Sequence, residues 1–162
     1  MILNRQRRIR VPLKQLERFL ARAQKEVSLP ADSLTVCLVT NALIARWNRG
    51  YRGKQGPTDV LSFPANAKIK PQRGRRSRSN GSWFDSPASR PHSPARHDYL
   101  GDIAIAPAVA RRNAQRFGRT LEDEMRILIL HGMLHLMGYD HETDTGQMDR
   151  RERRLRRTLG LA

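Results

Sequence analysis

Three strand-like runs interleaved with helical patterns, over a length that suits one core, predict a single domain of mixed α and β structure. The runs are "LTVCLVT", "TDVLSFP" and "LGDIAIA", each short and apolar and punctuated by Ser33, Pro64 or Pro107. The chain has 162 residues, enough for one ordinary core and short of what two independent domains need.

The first helix follows Pro12: "LKQLERFLARAQKE" puts Leu13, Leu16, Phe19, Leu20 and Ala23 on one stripe. Pro30 and Ser33 separate it from the first strand. Asn41 to Trp47 reads as a short helix, and "NRGYRGKQGP" after it as a turn-rich segment ending at Pro57, just before the second strand. From Ala65 to Tyr99 the chain turns to Pro, Ser, Gly and Arg without periodicity. Its middle, about 71–96, reads as a flexible insertion that either reaches for a partner or is padding.

Order resumes with the third strand, after which Pro107 opens the helix "PAVARRNAQRF" and Gly118 closes it. Thr120 is placed as an N-cap, with Asp123 as a weak capping box and Glu122 beside it at the favourable end of the dipole. "LEDEMRILILHGMLHLM" follows, apolar on several faces, which predicts a buried central helix ending at Gly138. In the tail, Met148, Leu155 and Leu159 mark the inward side of a last helix. Arg150, Arg151, Arg153, Arg154, Arg156 and Arg157 cover the rest, as a basic patch or a solvated face.

The 31 Lys plus Arg against 15 Asp plus Glu give a formal charge of +16. That balance favours an anionic partner, nucleic acid first, over a merely basic surface. Cys37 is the only cysteine and sits in an apolar run, so no internal disulfide forms and nothing points to an oxidising compartment. No h-region follows the basic start, and nowhere do about 18 apolar residues run together, which predicts a cytoplasmic protein with no membrane partner. The arginine-rich beginning leaves organellar targeting open.

"HGMLHLMGYDH" gathers three of the five histidines into one stretch. His131 and His135 are four apart on the predicted helix and project one above the other, and Gly138 lets the chain turn so that His141 returns toward them. Alone, each histidine reads as packing or surface. Together they make a three-nitrogen site with a fourth position open, the layout of catalytic zinc. His92 and His97 lie in the loose segment and receive no ligand role.

"YRGKQGPTDVLSFP" supplies cations: Arg52 can fork to two phosphate oxygens and Lys54 offers a mobile point charge. The segment reads equally as a solvent-exposed connector. Asp59 is placed as a structural hydrogen-bonding residue. Asp102 can orient a loop or a histidine, and Asp140 and Asp144 can hold an imidazole tautomer. Each reads first as structural; if a carboxylate acts as base, Asp102 and Asp140 are the first candidates. Trp83 and Phe84 stack on bases or tether the insertion, and Arg151 and Arg154 are candidate RNA contacts.

The histidine spacing resembles the zinc signature of metzincin metallopeptidases, with His131, His135, Gly138 and His141 at the expected offsets and Gly132 where the peptidase Glu would stand. More specifically, "HGMLHLMGYDH", "YRGKQGPTDVLSFP" and "LGDIAI", in that set and order along the chain, resemble the YbeY family of endoribonucleases and rRNA maturation factors. The resemblance covers most of the chain. It implies an α/β fold with a small mixed sheet, a metzincin-like zinc helix, one zinc ion on His131, His135 and His141, and Arg52 as the arginine needed for activity. It implies single-strand-specific RNA cleavage, maturation of the 16S rRNA 3′ end, late 30S quality control, and ribosomal or GTPase partners. Gly132 fits the family pattern. Gln55 departs from it, where an acidic residue commonly follows the lysine, and so does the long basic connection between "VLSFP" and "LGDI".

Three functions follow from these readings: a zinc-dependent endoribonuclease, a ribosome-assembly factor that holds RNA on a zinc-stapled fold without cutting it, and a metallopeptidase that needs some other base.

Overall fold

The computed structural model describes residues 1–66, 99–141 and 144–161. The expected flexible insertion at about 71–96, with Trp83, Phe84 and His92, lies outside the described residues, as does His97 beside it.

A four-stranded mixed sheet forms the centre, in the order β1-β2-β4-β3. Strand β2 (Leu34–Leu38) runs parallel to β4 (Gly101–Ile105), with Val36 opposite Ile103, and β3 (Val60–Pro64) runs antiparallel to β4. All five residues of β4 are buried, as expected of a strand covered on both faces. Strand β1 (Ile2–Asn4) has no counterpart among the expected elements. It pairs parallel to β2, and the flanking bonds from Val36 N–H to Met1 O and from Arg5 N–H to Leu38 O extend the ladder. Three residues are too few for a period, so only its neighbour makes it a strand.

The sheet separates two apolar clusters because successive side chains point to opposite faces. Val36, Leu38, Ile103 and Ile105 face helices α1 (Leu13–Glu26), α4 (Leu121–Leu136) and α5 (Gln147–Leu159). Cys37, Ala104, Leu61 and Phe63 face α2 (Asn41–Arg52), and Val109 of α3 (Pro107–Arg116) joins them. The buried Cys37 thiol packs as a small hydrophobe.

Helix α4 is the central helix. Met125, Ile129, Leu130, Met133 and Leu134 are fully buried, and Thr120 caps its start by accepting from Asp123 N–H at 3.0 Å. It approaches the sheet closely at Gly132, where a Cβ would lie 2.7 Å from Cγ2 of Ile103. Ser62 of β3 donates to the Gly132 carbonyl at 3.2 Å, so the histidine helix is tied to the neighbouring strand as well.

Helix α2 corrects the expected short helix followed by turn. It runs to Arg52 and closes on Gly53 in the left-handed region, with φ 67°. Gly50 in a helix costs about 1 kcal/mol. Burial of Trp47 and the contacts of Trp47 and Tyr51 with Phe63, at centroid distances of 5.7 and 5.0 Å, outweigh that cost. Among the described residues, no helix is long and apolar enough to cross a membrane.

Candidate metal centre

The last turn of α4 sets the three imidazoles. Gly138 takes φ 92°, its N–H bonds the His135 carbonyl at 3.0 Å, and the Tyr139 N–H bonds the Leu134 carbonyl at 3.1 Å. These two bonds are a Schellman closure, which reverses the chain within two residues. Tyr139 packs back on the core, and His141 comes round to the rings of His131 and His135.

Nε2 of His131 and Nε2 of His135 lie 3.2 Å apart, and each of the three rings offers one nitrogen within 4.8 Å of the others. The ring planes cross at 78°, 53° and 61°, so edges rather than faces converge. His131 and His135 are half-buried and His141 is exposed, which leaves the cluster open to solvent. Burial, and then the charges of His131 and His141, push the His135 pKa down. Neutral rings with free lone pairs are the form a divalent cation takes. The donor set therefore fits a metal ion, with borderline-soft zinc among those that three imidazoles suit.

Behind the cluster stands a carboxylate that the sequence reading missed. Glu152 of α5 is buried, and its Oε2 lies 2.9 Å from Nδ1 of His131 while Oε1 accepts from Arg156. Burial raises its pKa, but the His131 hydrogen bond and the Arg156 charge outweigh that and hold it below the usual carboxylate range. The signal was present in the sequence, because Met148, Glu152, Leu155 and Leu159 form one helical stripe with an acid on an apolar face.

The other candidates are spread more widely. Asp140 lies near enough to His135 to raise that ring's pKa in part. Asp144 departs from the expected imidazole role: its oxygens accept from the N–H groups of Gly146, Gln147 and Met148 and so cap α5. Asp102 is buried in β4 and accepts from the Tyr99 hydroxyl at 2.7 Å. Because Ile103 faces Gly132, Asp102 next to it faces away from α4. Burial first, and then Asp102, push the Tyr99 phenol up, so it remains a donor. Asp59 has the structural task expected of it, accepting from Val60 N–H and from Asn113 Nδ2.

Arg52 and Lys54 are exposed at the end of α2 and in the loop beyond it. That loop is held by buried Asn48, a residue the sequence reading passed over, whose Nδ2 donates to the Gly56 carbonyl at 3.0 Å and whose own carbonyl accepts from Lys54 N–H at 3.3 Å. The Arg52 helix reaches β3 through Tyr51 on Phe63, and the histidine helix reaches the other face of β3 at Ser62. On α5, Arg151 and Arg154 share a groove of about 810 Å³ with Tyr139, Arg150, Arg153 and Arg157.

Comparison with known proteins places these features in a family. The family model described as "Endoribonuclease YbeY" matches residues 1–160. The "Endoribonuclease YbeY" of Solibacter usitatus is 40% identical over 148 residues, covering 90% of this chain and 78% of that protein. The protein of the same description from a Sulfurovum species is 37% identical over 134 residues, covering 83% of this chain and 77% of its own length. Among solved structures, the solution structure of TM1509 from Thermotoga maritima is similar, with a TM-score of 0.55 and 26% identity over 98% of this chain and 89% of that one.

Proposed function

The chain belongs to the YbeY endoribonuclease family, and from that premise we propose that it is a zinc-dependent endoribonuclease acting on single-stranded RNA. The observation that carries this reading is the convergence of three imidazole nitrogens, within 4.8 Å of one another, on the solvent side of a buried helix. His131, His135 and His141 would hold one zinc ion, which would supply a Lewis acid able to bring the pKa of water down toward neutral.

The chain's own residues do the rest. The Arg52 guanidinium forks to two phosphate oxygens and offsets the negative charge that builds there during the displacement. Lys54 adds a point charge on a longer, freer stem. Arg151 and Arg154 hold the RNA backbone further along the strand, without regard to sequence. Asp140, near enough to His135 to act on its charge, is the candidate carboxylate for holding that ring or taking a proton. Asp102, with Tyr99, keeps a structural task. The substrate is a ribosomal RNA precursor in the cytoplasm, cut in 16S 3′-end maturation and late 30S quality control, with a ribosomal protein or GTPase presenting it. Residues 1–162 act as one domain.

Purified protein, His131→Ala and Arg52→Ala incubated with single-stranded RNA test this. Cleavage is expected to fall at least a hundredfold in both variants, as for loss of an electrostatic donor, with zinc retained by Arg52→Ala and lost by His131→Ala. Equal cutting by all three would defeat the assignment.

A second reading has one observation in its favour. Because Glu152 joins His131 to α5, zinc could serve to staple that helix while RNA is held and not cut. Products whose formation depends on the histidines reject it. A peptidase with the usual Glu after His131 finds no such support, since any side chain at Gly132 meets Ile103.

A further inference from the structure

The candidate metal donors and the arginine-rich helix meet at one side chain. Glu152 is buried on α5 while Arg153 beside it is exposed. One carboxylate oxygen lies 2.9 Å from Nδ1 of His131 and the other accepts from Arg156, one turn further on. Nε2 of the same ring points at His135, 3.2 Å away, so the carboxylate stands behind His131, opposite the donor cluster. A carboxylate there takes the Nδ1 proton as a hydrogen bond, leaves the Nε2 lone pair facing the cluster and stops the ring from turning.

We propose that Glu152 is a positioning residue that makes metal loading and docking of α5 a single equilibrium. This rests on the reading that the three histidines take a metal ion. The ion fixes His131, His131 fixes Glu152, and Glu152 fixes the helix whose outer side carries Arg150, Arg151, Arg153, Arg154 and Arg157. The coupling is reciprocal: whatever zinc adds to helix docking, the docked helix returns as zinc affinity. Arg156 engages the second oxygen, so the buried carboxylate is not left half-paired. Met148, Leu155 and Leu159 bury independently of it, so α5 keeps an apolar anchor when Glu152 is replaced.

The test compares the wild-type chain with Glu152→Ala, Glu152→Gln and Arg156→Gln. Zinc affinity is measured by competition with a chromophoric chelator, and hydrogen exchange of the α5 amides with and without zinc. Glu152→Ala is expected to weaken zinc roughly 10–100-fold, and zinc is expected no longer to slow exchange across Gln147–Leu159. Glu152→Gln keeps an acceptor without the charge and falls between, and Arg156→Gln shows a smaller loss. If Glu152→Ala fails to fold, the isosteric Gln variant decides. Folded variants with wild-type zinc affinity and wild-type protection by zinc overturn the proposal. A wild-type chain that binds no zinc overturns instead the ligand reading beneath it, so the two failures are told apart.

Discussion

Helices α4 and α2 both end on a left-handed glycine, Gly138 at φ 92° and Gly53 at φ 67°, yet they present their polar residues in opposite ways. At the end of α4 the backbone closes tightly, Tyr139 packs on the core, and Glu152 braces the first ring from behind. At the end of α2, Arg52, Gly53 and Lys54 are all exposed, and Asn48 ties the loop to the body from one side. Three donors to one ion must be held to a fraction of an ångström, so two are built on a core helix and the third on the tight turn that closes it. Cations that meet a phosphate need only reach, so an exposed helix end suffices for them. The difference teaches that the three imidazoles are positioned by the closing turn of α4 and by Glu152, whereas the cations at the end of α2 stand in solvent, beside a loop that Asn48 ties.

Gly138→Val is the most damaging way to challenge that contrast. A β-branched residue at φ 92° is strained, at about 2 kcal/mol, and the relief is for the turn to open and carry His141 away. Thermal unfolding and a zinc titration should both register it, with zinc weakened at least tenfold and RNA affinity of the metal-free protein unchanged. Zinc binding that survived unaltered would mean that His141 is not held by this turn.

Asn48→Ala should produce the reverse pattern at smaller cost. It removes the bond to the Gly56 carbonyl, but also an Oδ1 that is buried with no hydrogen-bond partner among the described residues. The net loss is about 1 kcal/mol, read as a small fall in melting temperature. Zinc affinity should hold while KM for RNA rises, because the loop carrying Lys54 loses its tie. A weakened zinc site in this variant would show that the two helix ends are not independent.

What the sequence disclosed follows the reach of each cause. The histidine pair was legible because four residues on a helix are one turn, and Gly138 announced the reversal that brings His141 round. Strands β2, β3 and β4 were legible as apolar runs between breakers. Strand β1 was not, since its pairing is dictated by Val36 and Leu38, more than thirty residues away. Nor was the length of α2: Gly50 and the polar letters around it argue for a turn, and only packing of Trp47 and Tyr51 on Phe63, a tertiary effect, overrides them. Glu152 sits on the apolar stripe of α5, yet a competing signal masks it. Surrounded by arginines it reads as part of a solvated face, and its partner His131 is 21 residues back on another helix.

The outer arginines give the smallest effect and the sharpest separation. Arg154 is exposed, so Arg154→Gln should leave stability within about 0.5 kcal/mol of wild type. It lines a groove that Tyr139, two residues before His141, also lines. If it neutralises one phosphate there, the slope of log affinity against log salt should become shallower by about one unit. Zinc affinity should not move, because the residue faces away from Glu152 on its own helix. A change in slope without a change in zinc would assign the outer side of α5 to RNA and its inner side to the ion. An unchanged slope would return Arg154 to an ordinary solvated surface and leave the exposed end of α2 as the principal cationic contact.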